Sequence, residues 1–168
     1  VQSASGVLLS DYAKGFLTAD FITNIAELCG KRGIPCVADC KRAPEVYTGA
    51  IIKCNAEYQH KHNDQLSTLV YDADKPQRLV VTDGPLNPII WDSDKPTGLG
   101  YFLPPINLVN HVGAGDCFAA HMVLALAYGF NLKEAAGLAH SAGRVYVQHP
   151  NNRPPQPSEI EADLLSMK

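Results

Sequence analysis

Apolar residues fall along this chain in two rhythms. Short runs at Val7-Leu8-Leu9, Ile34-Pro35-Cys36-Val37-Ala38, Ala50-Ile51-Ile52-Lys53 and Arg78-Leu79-Val80-Val81-Thr82 predict buried strands. Between the first two, Phe21, Ile22, Ile25, Ala26 and Leu28 recur at helical spacing. They predict a helix from about Asp20 to Lys31, closed by Gly30 or Gly33. Leu66, Leu69 and Val70 predict a further helix from Asp64 to Tyr71. Pro85 to Pro105 reads as a β-ribbon, with Ile89-Ile90-Trp91 and Tyr101-Phe102-Leu103 as strands around the polar turn Asp92 to Gly100. Three helices follow. One runs from Phe118 to Tyr128 and ends at Gly129. A second, capped by Asn131, runs from Leu132 to about Val147 with Ala135, Ala136, Leu138, Ala139 and Ala142 as a close-packing face. A turn-rich linker, Pro150 to Pro157, leads to a short last helix from Ser158 through Leu165, with Glu159 and Glu161 in its first turn. Strand, helix, strand order at the start predicts a parallel sheet with right-handed crossovers, whose ligands gather at the carboxyl ends of the strands. Ser10-Asp11-Tyr12-Ala13-Lys14-Gly15 and Asp39-Cys40-Lys41 stand at two such ends.

Composition narrows this picture. The 168 residues, 46% hydrophobic and 18% charged, suffice for one domain with a proper core. A formal net charge of -3 and a pI near 6.0 give no electrostatic reason to expect nucleic acid or an anionic membrane as partner. No apolar run approaches a bilayer-spanning length, and no basic segment followed by an apolar one opens the chain, so a cytoplasmic protein is expected. Cys29, Cys36, Cys40, Cys54 and Cys117 are odd in number, irregularly spaced and lack a Cys-x-x-Cys pair, which predicts free thiols. His60 and His62 stand in a polar stretch with no third ligand suggested nearby, and read as solvated residues.

The candidate chemistry concentrates in Asn110-His111-Val112-Gly113-Ala114-Gly115-Asp116-Cys117-Phe118. Small residues let backbone N–H groups approach a ligand closely. The helix start behind them offers unpaired N–H groups and the positive end of a macrodipole to a phosphate. Asp116, in the first turn, is placed to accept a proton from an attacking hydroxyl. The same letters also fit a tight glycine turn with Asp116 as a helix cap.

Followed by Cys117-Phe118-Ala119-Ala120 and a long apolar helix, this stretch resembles the signature of the ribokinase-like (PfkB) carbohydrate kinases, roughly Asp-Thr-x-Gly-Ala-Gly-Asp-x-Phe. The resemblance implies that Gly113, Ala114 and Gly115 form the anion hole and that Asp116 is the catalytic base. Asn110 and His111 replace the first aspartate and the threonine of the pattern, which removes a negative charge near the expected metal and phosphates.

Other stretches extend the likeness from about residue 7 to 149. The Ser-Asp-Tyr-Ala-Lys-Gly and Asp-x-Lys loops look most like bacterial heptose-phosphate kinases and imply phosphate contacts for Lys14 and Lys41. Surface lysines beside turn residues Asp11 and Asp39 fit the same letters. The family's Asn-x-x-Glu element, near metal and nucleotide phosphates, is represented either by Asn55 and Glu57 with one residue fewer between them, or by Glu57 with Cys54 at the asparagine position; Glu57 is the firmer match, as the metal residue. Thr82-Asp83-Gly84 resembles the Thr-x-Gly of the nucleotide edge, implying roles for Thr82 and Gly84, with Asn87 where a second glycine is usual and able to tolerate positive φ. A two-residue Asp83-Gly84 hairpin is the other reading. His140 stands where the family helix borders the adenine pocket, often with an asparagine, and is equally readable as a packing residue.

The expected fold is therefore α/β, a three-layer ribokinase-like arrangement with a mostly parallel sheet flanked by helices, in which the amino-terminal half and lid of a complete kinase are missing. Residues 1–168 would form the carboxyl-terminal, nucleotide-binding half. Two functions follow. One is ATP- and Mg2+-dependent phosphorylation of a hydroxyl on a sugar or sugar phosphate. The other is a truncated or diverged module that binds nucleotide or a partner without turnover. A first strand lacking the neighbours of the complete fold predicts a homodimer, or a separate amino-terminal half as partner.

Overall fold

The computed structural model describes residues 3–74, 77–92 and 95–167. One six-stranded sheet carries the fold, in the order β1 (Val7–Ser10), β2 (Cys36–Asp39), β3 (Ile51–Asn55), β4 (Leu79–Thr82), β5 (Ile89–Trp91) and β6 (Pro96–Gly98). The first four strands are parallel, and β5 and β6 add antiparallel at one edge.

Alternation along the strands sorts side chains between two cores. Cys36 and Ala38 of β2, Ile52 and Cys54 of β3, and Leu79 and Val81 of β4 face Ile22, Ala26 and Cys29 of α1 (Ala19–Arg32) and Leu66 and Val70 of α3 (Asn63–Val70). The residues between them, Val37, Ile51 and Val80, face Phe118 and Met122 of α4 (Ala114–Ala127) and Ala135, Ala136 and Ala139 of α5 (Leu132–Tyr146). Helix, sheet and helix thus form three layers, with apolar surface buried on both faces as a parallel sheet requires. A 3-10 turn (Pro44–Tyr47) joins β2 to β3, the short α2 (Ala56–Lys61) precedes α3, and α6 (Pro157–Ser166) closes the chain.

The helix ends have local causes. Thr18 accepts the Phe21 N–H at the start of α1, and Gly33 ends that helix in the left-handed conformation, so Gly33 rather than Gly30 is the cap. Asn131 and Glu134 form a reciprocal capping box on α5. α6 begins at Pro157, one residue earlier than expected, where Gln156 and Glu159 cap each other.

Three expectations need correction. Tyr101-Phe102-Leu103 is not a strand: the partner of β5 is Pro96–Gly98. Tyr101 instead passes beside Gly137 of α5 and accepts the Asn87 amide at its carbonyl, 2.9 Å away. Part of the anticipated polar turn, residues 93 and 94, lies outside the described residues. Asp83-Gly84 is not a two-residue hairpin, because residues 83–88 separate β4 from β5 and the Leu86 N–H closes a turn on the Asp83 carbonyl. Gly84 takes the left-handed conformation, whereas Asn87 does not and spends its side chain on Tyr101. Finally, α4 starts at Ala114 rather than Phe118, which brings Gly115 and Asp116 into its first turn.

Candidate active site

The carboxyl ends of the parallel strands line up in register. Ser10 of β1 pairs with Asp39 of β2, Asp39 with Lys53 of β3, and Asn55 of β3 with Thr82 of β4. The amino end of α4 crosses this row.

Gly113 caps α4 with a left-handed φ of 86°, and a side chain there would collide with the Tyr146 hydroxyl, 2.6 Å from the position of a Cβ. Two constraints therefore demand glycine at this position. The Ala114 N–H closes a turn on the His111 carbonyl at 3.1 Å, and the Cys117 N–H is the first to bond within the helix, to Gly113 at 2.9 Å. The amides of Gly115 and Asp116 lie between these and belong to the first-turn N–H groups that a helix leaves unpaired. Asn110, ahead of the turn, accepts the Val112 N–H at 2.9 Å and donates to Asn152 at 2.6 Å.

Asp116 is exposed, and both of its oxygens accept the Tyr12 hydroxyl, at 2.8 and 2.9 Å, with the Ser10 hydroxyl at 3.4 Å. Tyr12 is held over α4 by a loop whose root is buried. Asp11, 3% exposed, accepts the Ala13 N–H at 2.7 Å, the Tyr47 hydroxyl at 2.8 Å and the Arg42 Nε at 2.7 Å. Burial alone would raise the Asp11 pKa, but these three donors outweigh it and hold the carboxyl below its usual range. Arg42 also donates to the Leu17 carbonyl, so one guanidinium ties both ends of the loop.

A residue to which the sequence assigned no functional role completes the row. Lys53 is 4% exposed, pairs with Asp39 at 3.3 Å, and its Nζ lies 3.0 Å from where a Cβ on Gly115 would stand. Its signal was a lysine inside the otherwise apolar run Ile51-Ile52-Lys53-Cys54, counted there merely as the end of a strand.

The remaining candidates surround this row without contacting it in the same way. Asn55 caps α2 by accepting the Tyr58 N–H at 2.9 Å, and Glu57 follows, exposed, in the first turn of that helix. Thr82 donates to the Cys54 carbonyl at 3.2 Å. Lys14 and Lys41 are exposed on the loops after β1 and β2. His140 is buried in α5 with Nε2 unpartnered, and burial, then the Arg144 charge, pushes its pKa down to about 4, so it is neutral. Among the described residues no three His, Cys, Asp or Glu side chains converge as a metal site. All five cysteines are free, and burial pushes the Cys117 thiol up to about 11, which removes it as a nucleophile. Among those residues, too, no helix is long and apolar enough to cross a membrane.

Comparison with known proteins places these features in a family setting. The family described as pfkB family carbohydrate kinase matches residues 17–159. The bifunctional protein HldE of Bradyrhizobium diazoefficiens is 30% identical over 161 residues, covering 88% of this chain and 32% of its own length. The Caulobacter vibrioides HldE is 31% identical over 159 residues, covering 88% and 33%. The chain thus spans about a third of the length of the curated relatives it matches. In fold it is similar to phosphofructokinase-2 from Escherichia coli in complex with potassium, with a TM-score of 0.77 at 19% identity over 97% of this chain and 57% of that one. It is also similar to Arabidopsis thaliana ribokinase complexed with ribose and ATP, with a TM-score of 0.69 at 19% identity over 96% and 56%. The architecture is that of the ribokinase-like fold.

Proposed function

Because the chain belongs to the pfkB family of carbohydrate kinases, we propose that it is the nucleotide-binding half of an ATP-dependent kinase for a sugar or sugar phosphate, with Asp116 as base. The observation that carries this reading is the Tyr12 hydroxyl on both oxygens of Asp116. A carboxylate that accepts an O–H donor in the first turn of α4 supports this reading. An acceptor hydroxyl taking that place would give its proton to Asp116 while the turn Gly113, Ala114 and Gly115 stabilises the transferring phosphoryl group.

Thr82, Gly84 and Asn55 then border the nucleotide, with neutral His140 in the helix behind. Lys14 and Lys41 reach phosphate oxygens from their loops as mobile point charges. Glu57 supplies the one carboxylate for Mg2+, an ion that usually rests on substrate phosphates and one or two carboxylates rather than on a protein cage. When bound, Mg2+ would neutralise phosphate charge. A sugar phosphate is the preferred acceptor, since exposed Lys14 and Lys41 stand in the two loops that resemble those of heptose-phosphate kinases. Among the described residues, β1 has a neighbour on one side only. We assign its free edge to a second copy or to an amino-terminal half, and a concentration-independent monomer in sedimentation would oppose this.

The second reading, a module without turnover, is favoured by Asn110 and Asn55, whose side chains are spent on local backbone and cap bonds. Calorimetric titration with ATP, with and without Mg2+, separates the two. Binding that strengthens with Mg2+ supports the kinase half. No detectable binding would remove the nucleotide site.

A further inference from the structure

Lys53 is an expensive residue where it stands. β3 is buried along Ile51, Ile52, Lys53 and Cys54, and Lys53 shares a strand face with Ile51, which packs on the α4 side of the sheet. That direction carries its ammonium to the amino end of α4. A buried ammonium costs several kcal/mol in lost hydration. The positive end of a helix dipole adds repulsion. Against this, among the described residues, the structure sets one carboxylate oxygen, Asp39 Oδ1 at 3.3 Å, for a group with three N–H donors. The Lys53 ammonium and the amino end of α4 thus face each other across Gly115, an arrangement suited to an anion.

Gly115 points the same way. It is a helical glycine without positive φ, so its backbone does not demand glycine. What a side chain would meet is the Lys53 ammonium, at 3.0 Å.

We propose that Lys53 is the charge-neutralising residue of the phosphoryl site, its ammonium bridging Asp39 and an oxygen of the transferred phosphoryl group through the space that Gly115 leaves open. This rests on the reading of the α4 terminus as a phosphate site and deepens it. Asp39 is then a positioning residue, which aims the ammonium.

The test is calorimetry of the whole chain with ADP and with the non-hydrolysable triphosphate AMP-PNP, both with Mg2+. Wild type should prefer AMP-PNP, and Lys53→Met should weaken AMP-PNP by about tenfold or more, as expected for one charge-assisted hydrogen bond. Its ADP affinity should stay within about twofold, well inside the effect of one such bond. Gly115→Ala should weaken AMP-PNP selectively, and should add little in the Lys53→Met background, because both changes remove one contact. Lys53→Met/Asp39→Asn, with neither charge left, serves if the single variant does not fold, and Gly115→Ala keeps both charges in place. An unchanged preference in Lys53→Met, or equal loss of both nucleotides, overturns the role of Lys53 alone. Wild type that binds neither nucleotide overturns the phosphate site and this inference with it.

Discussion

Tyr12 donates its hydroxyl to both oxygens of Asp116, 2.8 and 2.9 Å away, across 104 positions of sequence. The Asp116 hydrogen bond, then burial, raises the Tyr12 pKa above 10.0, since loss of the phenol proton would leave two negative groups facing each other. The protonated phenol is thus favoured in the folded chain, and its contribution, complete below pH 10, is lost as pH rises through the folded value. Burial also raises the Tyr47 and Tyr58 phenols, so absorbance titration of the tyrosines should show several late phenols, one fewer in Tyr12→Phe. In Asp116→Asn the Tyr12 phenol should return toward 10.0, and an unaltered titration there would break the pairing.

Asp116→Asn keeps the size of the side chain and removes the proposed base. Acceptor-dependent release of ADP should fall by roughly a hundred- to ten-thousand-fold, while ATP affinity measured by calorimetry stays close to that of wild type. Unchanged turnover with any sugar phosphate that the wild type uses would take the role of base away from Asp116.

Gly113 and Gly33 offer a matched comparison, both left-handed, at φ 86° and 65°. A Cβ at Gly33 meets open space, so Gly33→Ala should cost about 1 kcal/mol from backbone strain alone. Gly113→Ala should cost about 3 kcal/mol, because Tyr146 must also move and give up its hydrogen bond to the Val112 carbonyl. Removing the hydroxyl in Tyr146→Phe should recover part of the difference in urea unfolding. Equal losses at the two glycines would show that Tyr146 yields freely.

His140, 5% exposed, titrates near 4 instead of 6.5. The unfolded chain therefore binds a proton that the folded chain refuses between these values, and stability falls as pH drops through that window, by on the order of 3 kcal/mol at this position. His140→Gln should flatten the stability profile between pH 6.5 and 4 relative to wild type. Parallel profiles for the two proteins would place the histidine in water.

Much of this fold could be read along the chain, since the strands are short apolar runs and the helices carry both periodicity and caps. Asn131 marked α5 in advance, and the Gly-Ala-Gly-Asp letters marked the start of α4. The failures share a cause in long-range contact. Tyr101-Phe102-Leu103 has the letters of a strand, yet Gly137 and Asn87 offer Tyr101 a place outside the sheet. Lys53 looked like a strand end because its partners, Asp39 and Gly115, become neighbours only through sheet register and helix placement. Tyr12 stood in view within a loop, but nothing local shows that its hydroxyl reaches Asp116.

The sheet lays down its strands in the order in which they occur in the chain. Each strand can therefore dock beside a predecessor already made, across a helical crossover or a turn, so the sheet can grow in the direction of synthesis. The amino end of α4 breaks that order, because it returns from far downstream to lie against Ser10, Tyr12 and Lys53. A nascent chain that has completed β1 to β4 would hold an ordered sheet and no working site. The proposed site would be complete only when the last layer lands.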